Sequence, residues 1–537
     1  VSERVVKIDI DWKKIETFLG GTKLAVIILV IYTALMITGT FVESFYGAEF
    51  ANKLIYKSIF FIFLQAILLI SVAMSLMNRL PYKRNLTGFY IVHVGLILIF
   101  IGGYLTYHSG IDGQITLGPN SPNRVVLLDD DVLYLRYESG KESMIELPRT
   151  AFGKEMNENL DGLNVGTYLP FSAGAIEWVK FPSTQKGNFK TYEYTFATSS
   201  KKSVALMTLY PDGAVNFIPS LSIGNTMIKL FPNEIKGCIL DDKMEFVVWD
   251  RWRNRCGNVE EFGGVIDNTS PQMQHRLVKL SLDGSVYKFV PSFSTMPINE
   301  RFGPTYNAPV QLISREMLES GRVIVLFGDH GYIYRDGKFN EFETINNGLK
   351  KFPELTLNIT LNRVISDSYP GTGASFSFPA QNEDGKVSTN KAVKVTAGNE
   401  VYWVRSGDPV TFWKGGEQAT LFLGKKTYQL PYELTLGKFK MEMSPGTQMP
   451  ASYESFVNLF DGNGNKVHHI YMNNPLKKDE LTFYQSSYFP IGDGQFGSVL
   501  SVNMDPGRVL KYFGSLLLVL GAIFHYIIRM KMKEVVT

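Results

Sequence analysis

Four apolar runs long enough to cross a bilayer, three near the start of the chain and one near its end, constrain the fold more than any other feature. They cover about 24–42, 58–77, 88–107 and 509–528, each with at most one charge. Roughly 20 helical residues span the ~30 Å hydrocarbon core. The single charge, Lys511 in the last run, sits near a helix end, from where its ammonium can snorkel to the interface. Mean hydropathy over the 537 residues is only −0.01, so the apolar content is concentrated at the two ends.

Basic residues predict the orientation. Arg4, Lys7, Lys13, Lys14 and Lys23 precede the first run, Arg79, Lys83 and Arg84 separate the second from the third, and Arg529, Lys531 and Lys533 follow the fourth. These regions are expected on the cytoplasmic side, with both termini there. The link between the first two runs carries Glu43, Glu49 and Lys53, without positive excess, and belongs outside. The predicted layout is 1–108 with three transmembrane helices, 109–505 as a large extracytoplasmic domain, and 506–537 with the fourth helix and a cytoplasmic tail. A cleaved signal peptide is the other reading of the first run; its length and the consistent charge pattern favour a span.

The large block reads as mainly β. Asp-Gly pairs at 112–113, 161–162, 212–213, 283–284, 336–337, 384–385, 461–462 and 493–494 separate short apolar or alternating runs. In "GYIYRDGKFNEF", Tyr332 and Tyr334 share a face, Asp336-Gly337 supplies a tight turn, and Phe339 and Phe342 lie on the return strand. The turns are irregularly spaced and the strands unlike one another, which excludes a regular repeat. Two antiparallel modules dividing near residue 300 are expected.

No soluble catalytic motif stands up, and nothing points to nucleic acid. "VVWDRWRN" reads as a half-exposed strand with cation–π packing rather than a binding site. His468 and His469 point to opposite faces of a strand and no carboxylate or thiol cluster completes a metal set. The two cysteines, Cys238 and Cys256, are spaced wrongly for a redox or zinc motif and are expected as a structural disulfide, with two buried thiols as the alternative.

The chemistry is expected in the membrane. His93 lies inside the third apolar run, where a polar imidazole is costly unless something binds it. On a helix it shares a face with Phe89, Ile97, Phe100, Tyr104 and Tyr107, a stripe suited to a flat, polarisable ligand, while Gly95 and Gly102 line the opposite face. His525, in the fourth run beside Gly514 and Gly521, comes to similar depth. A neutral imidazole at fixed depth in a dry bundle is what axial ligation of haem iron requires. The competing reading, an imidazole hydrogen-bonded to a backbone carbonyl or to a residue such as Thr87, stays open for both histidines.

The chain resembles the ResB (CcsB) family, the membrane subunit of System II cytochrome c maturation. The resemblance is carried by "GGTKLAVIILVIYTALMITGTFVES", "MNRLP", "GFYIVHVGLILIFIGGYLTYHSGIDGQITL", "FYQSSY" and "DPGRVLKYFGSLLLVLGAIF", and by the plan of three helices, a large outer domain and a final helix. It implies that His93 ligates a transmembrane haem b, held non-covalently, with the second ligand usually supplied by a multi-helix ResC/CcsA partner. It further implies a bacterial cytoplasmic-membrane protein that helps carry haem outward and present it to apocytochrome c. The partner's tryptophan-rich haem motif is missing here, so the resemblance implies a non-autonomous subunit of a haem-attachment complex.

Two other classes remain. A b-type electron carrier would use His93 and His108, about 22 Å apart on one helix, but needs four ligands where His93, His108 and His525 give three. A membrane-anchored sensor leaves His93 unexplained. The glycines at 95, 102, 514 and 521 are expected to admit the partner subunit closely.

Overall fold

In the computed structural model the four apolar runs form the helices Thr22–Tyr46, Ile59–Met77, Thr87–Ser109 and Arg508–Glu534. All four are long and apolar enough to cross a membrane. The structure describes residues 12–534 apart from 182–188, 211–219, 268–275, 292–294, 299–307, 346–356, 381–389, 399, 447–449, 463 and 493.

The chain divides into two compact units, one made of residues up to Ala173 and from Ser375 onward, the other of Gly174–Ala374. The division expected near residue 300 falls within 299–307, outside the described residues.

The first unit contains the helices and a ten-stranded sheet. Its central strands are Glu417–Met443, Asn123–Tyr137, Ile111–Leu117 and Gln495–Met504, hydrogen-bonded in that order. Alternation puts Ile115, Leu117, Leu434, Leu436, Leu500 and Val502 into one core cluster. A four-stranded sheet, Glu400–Arg405, Ala392–Ala397, Leu163–Leu169 and Lys154–Leu160, contributes Val165, Tyr168, Val393 and Val404 to another.

This sheet brings the third and fourth helices together. The third runs through Gly110 into Ile111–Leu117, which pairs antiparallel with Gln495–Met504 from Ile111↔Met504 to Leu117↔Ser498. The fourth helix starts at Arg508, just beyond that strand. Two helices leaving adjacent antiparallel strands are therefore already antiparallel neighbours. At the junction Thr106 donates from Oγ1 to Asp505 Oδ1 at 2.5 Å, and Lys511 Nζ lies 2.8 Å from Asp505 Oδ2. Lys511 thus reaches the helix end, as expected of it, and finds a carboxylate there.

The second unit, also β, holds a five-stranded sheet with one parallel pair, Thr226–Leu230 beside Val323–Phe327. The hairpin His330–Arg335 with Lys338–Glu343 turns at Asp336 (φ 54°) and Gly337 (φ 77°), and Tyr334 pairs with Phe339 at 5.2 Å between rings. Cys238 and Cys256 are bridged, with their Cα atoms 6.3 Å apart.

Two expectations are corrected. Asp112-Gly113 is no turn but lies within Ile111–Leu117, where a side chain at 113 would meet the Leu127 carbonyl. The strand Phe246–Asp250 is wholly buried, with Trp249 packed on Phe231 at 5.4 Å, rather than half exposed. The turns at 212–213 and 384–385, and Asp493, lie outside the described residues.

Candidate functional site

The third helix presents two faces with different occupants. Gly88, Gly95 and Gly102 recur every seven residues and so return to one side, drifting only about 20° per step. All three are buried against the fourth helix. A Cβ at Gly95 would sit 2.6 Å from the Gly514 carbonyl oxygen, one at Gly102 would sit 2.8 Å from that of Gly507, and one at Gly521 would sit 2.7 Å from the Val92 nitrogen. The glycines expected to receive a partner subunit are thus consumed within the chain. Any partner must use another face.

His93 lies about 160° round the helix from Gly95, at 100° per residue. Its Nδ1 is 2.9 Å from the Phe89 carbonyl oxygen one turn back. A carbonyl only accepts, so Nδ1 is the donor and carries the proton of the neutral ring, which leaves the lone pair on Nε2. Nε2 has no protein partner among the described residues. The sequence reading opposed a hydrogen-bonded imidazole to a ligand, but the geometry makes the two compatible. A backbone acceptor on one ring nitrogen fixes the tautomer and orientation of a metal-binding histidine. The Phe89 ring lies 3.7 Å from the imidazole, and the Arg79 guanidinium caps Phe89 at 4.4 Å. Farther along, Tyr104 and Tyr107 are exposed, so this chain's own helices leave the outer part of the stripe uncovered.

His525 is placed differently. Its backbone is seated against Gly88, inside the glycine interface, and its Nδ1 is buried without a hydrogen-bond partner. Gly88 lies about 140° round the third helix from His93. The structure therefore does not bring His93 and His525 to one face. His108 stacks on Tyr104 at 6.1 Å near the opposite end of the helix. His469 stacks on Phe456 at 4.3 Å and meets Glu454 at 2.8 Å, and no group of three metal-ligating residues occurs among the described residues.

The donor set fits haem as a single axial position: one imidazole with a free Nε2, its tautomer fixed, beside an aromatic ring. Among the described residues no second candidate ligand shares that face.

Sequence reasoning missed a buried ionic cluster. Asp131 receives two hydrogen bonds from Lys391, at 2.7 and 2.8 Å, and one from the Tyr168 hydroxyl at 3.0 Å. Lys53 and Glu49, from the link between the first two helices, join it at 3.2 Å to Asp131 and 2.7 Å to Lys391. Burial alone would raise the Asp131 carboxyl, but Lys391 and Lys53 outweigh it and hold it well below the ordinary carboxylate range. Beside it, Phe50 packs edge-on against Phe171 at 5.3 Å. The helix link is thereby fastened to the β framework. Asp131, the last of three consecutive aspartates in "LDDDV", gave no signal of this.

Fold and site together define a polytopic membrane protein with a large β-rich region between its third and fourth apolar helices and a histidine, His93, within the third. Residues 397–495 match the model of the ResB-like family. A stretch of 117 residues, 21% of this chain, is 33% identical to Protein NrfI of Wolinella succinogenes. The match spans 13% of that relative's length. These matches bear out the resemblance of the chain to the ResB family.

Proposed function

We propose that this chain is a haem-handling subunit of cytochrome c maturation, in which His93 Nε2 is an axial ligand to haem iron within the membrane. The observation that carries the reading is the Nδ1 contact to Phe89, which leaves Nε2 as the coordinating atom. The uncovered aromatic stripe supports a haem held between this chain and a multi-helix ResC/CcsA-type subunit, the source of the second ligand. Because lipid offers neither ligands nor fixed dipoles, that subunit has to close the site. The basic segments support a layout with both termini on the cytoplasmic side of a bacterial inner membrane and the β region on the outer side, where it would hold apocytochrome c. Haem b is the cargo, passed outward for thioether formation on a Cys-x-x-Cys-His segment.

Deletion of the gene followed by haem staining of membrane proteins tests the role. Loss of every covalently haem-bearing cytochrome, with b-type cytochromes retained, is expected. Retention of c-type cytochromes removes the proposal.

A further inference from the structure

We propose that the Arg79 guanidinium anchors a carboxylate of the ligand that His93 holds, so that the two residues form one site for an amphiphilic metalloporphyrin bearing free acid groups. The proposal rests on the reading of His93 given above.

Arg79 stands just past the C-terminal end of the second helix, Ile59–Met77. The Tyr90 hydroxyl donates to its carbonyl oxygen at 2.6 Å, tying this turn to the third helix. The side chain is fixed as well: Nη1 donates to Ser75 at 3.0 Å (O) and 2.8 Å (Oγ), and the guanidinium plane rests over the Phe89 ring. Phe89 in turn lies against His93. Cation, aromatic ring and imidazole are thus in one contiguous series on the face turned away from the glycine interface.

Two features mark Arg79 as an unfinished partner. Nε and Nη2 have no protein acceptor, and no carboxylate lies within ion-pair distance of the guanidinium, among the described residues. A half-buried cation at the edge of an apolar span is costly when unpaired. The planar fork of arginine also matches a carboxylate in bidentate fashion, as a lysine would not. Haem carries its two propionates on one edge, so a haem whose iron sits at His93 can turn that edge toward Arg79.

The test compares haem with its iron-bearing dimethyl ester, in which both propionates are neutral, titrated into the purified complex of this chain with its multi-helix partner subunit in detergent and followed by the His93-dependent Soret band. Wild type should bind haem about tenfold more tightly than the ester, the scale of a charge-assisted hydrogen bond. Arg79→Gln should remove that preference and leave ester binding and the band position unchanged. Arg79→Lys, which keeps the charge and guards against misfolding, should retain part of it. Equal binding of haem and ester by wild type, or an unaltered preference in Arg79→Gln, overturns the anchor while leaving His93 as ligand; Arg79 is then a partner for lipid phosphate. Absence of any His93-dependent band in wild type ends both proposals.

Discussion

Gly95 and Gly514 meet backbone to backbone: a Cβ on either would come within 2.6 Å of the other's carbonyl oxygen. The third and fourth helices can approach this closely only because neither has a side chain at the crossing. Gly95→Leu or Gly514→Leu should therefore destabilise the helix pair by at least the 1–3 kcal/mol typical of overpacking. Gly103→Leu is the control, since nothing lies within 4 Å of a Cβ there. Thermal unfolding in detergent should show a large drop in midpoint for the first two and little change for the third. Equal behaviour of all three would mean that the helices do not pair in this way.

Asp131 and Lys391 form the pair that fastens the helix link to the β framework. Removing one charge strands the other, so Asp131→Asn or Lys391→Met should cost about 3–5 kcal/mol, measured by denaturant unfolding. The pH dependence follows from the shifts. Asp131 is depressed in the folded state, so its contribution is complete above the ordinary carboxylate pKa of about 4 and is lost as pH falls below it. Lys391 is shifted the other way: burial would lower it, but Asp131 and Glu49 raise it. Its contribution is complete below about pH 10 and fades as pH rises beyond that. Asp131→Asn should flatten the acid limb of the stability profile.

The bridge between Cys238 and Cys256 closes a loop of 18 residues in sequence separation. A loop of this size restricts the unfolded chain by about 3 kcal/mol. The double Cys→Ser variant should lose that much stability in unfolding of the full chain, and a reducing agent should lower the midpoint of wild type but not of the variant.

The helices were legible because twenty consecutive apolar residues admit few other fates, and the hairpin at Asp336-Gly337 because that dipeptide accepts positive φ at both positions. Asp112-Gly113 was misread by the same rule. There the glycine serves the close approach of Leu127 within a sheet, and pairing with Gln495–Met504 overrides the local turn preference. The glycine stripes were visible, but their mutual pairing was not. Thr106 and Asp505, which mark the join, are 399 residues apart, and no local pattern carries that distance. The same holds for Asp131 and Lys391, separated by 260 residues. His93 was legible as an expensive residue in the membrane, whereas the contact that frees its Nε2 needed the helix geometry.

Whether His93 Nε2 binds haem iron is read most directly from the Soret spectrum and haem content of the purified complex with His93→Ala. His93→Ala should lose most copurifying haem and cytochrome c assembly, with partial return of both when imidazole is supplied to fill the cavity left by the side chain. A His93→Ala complex with unchanged haem content and an unchanged Soret band would contradict it.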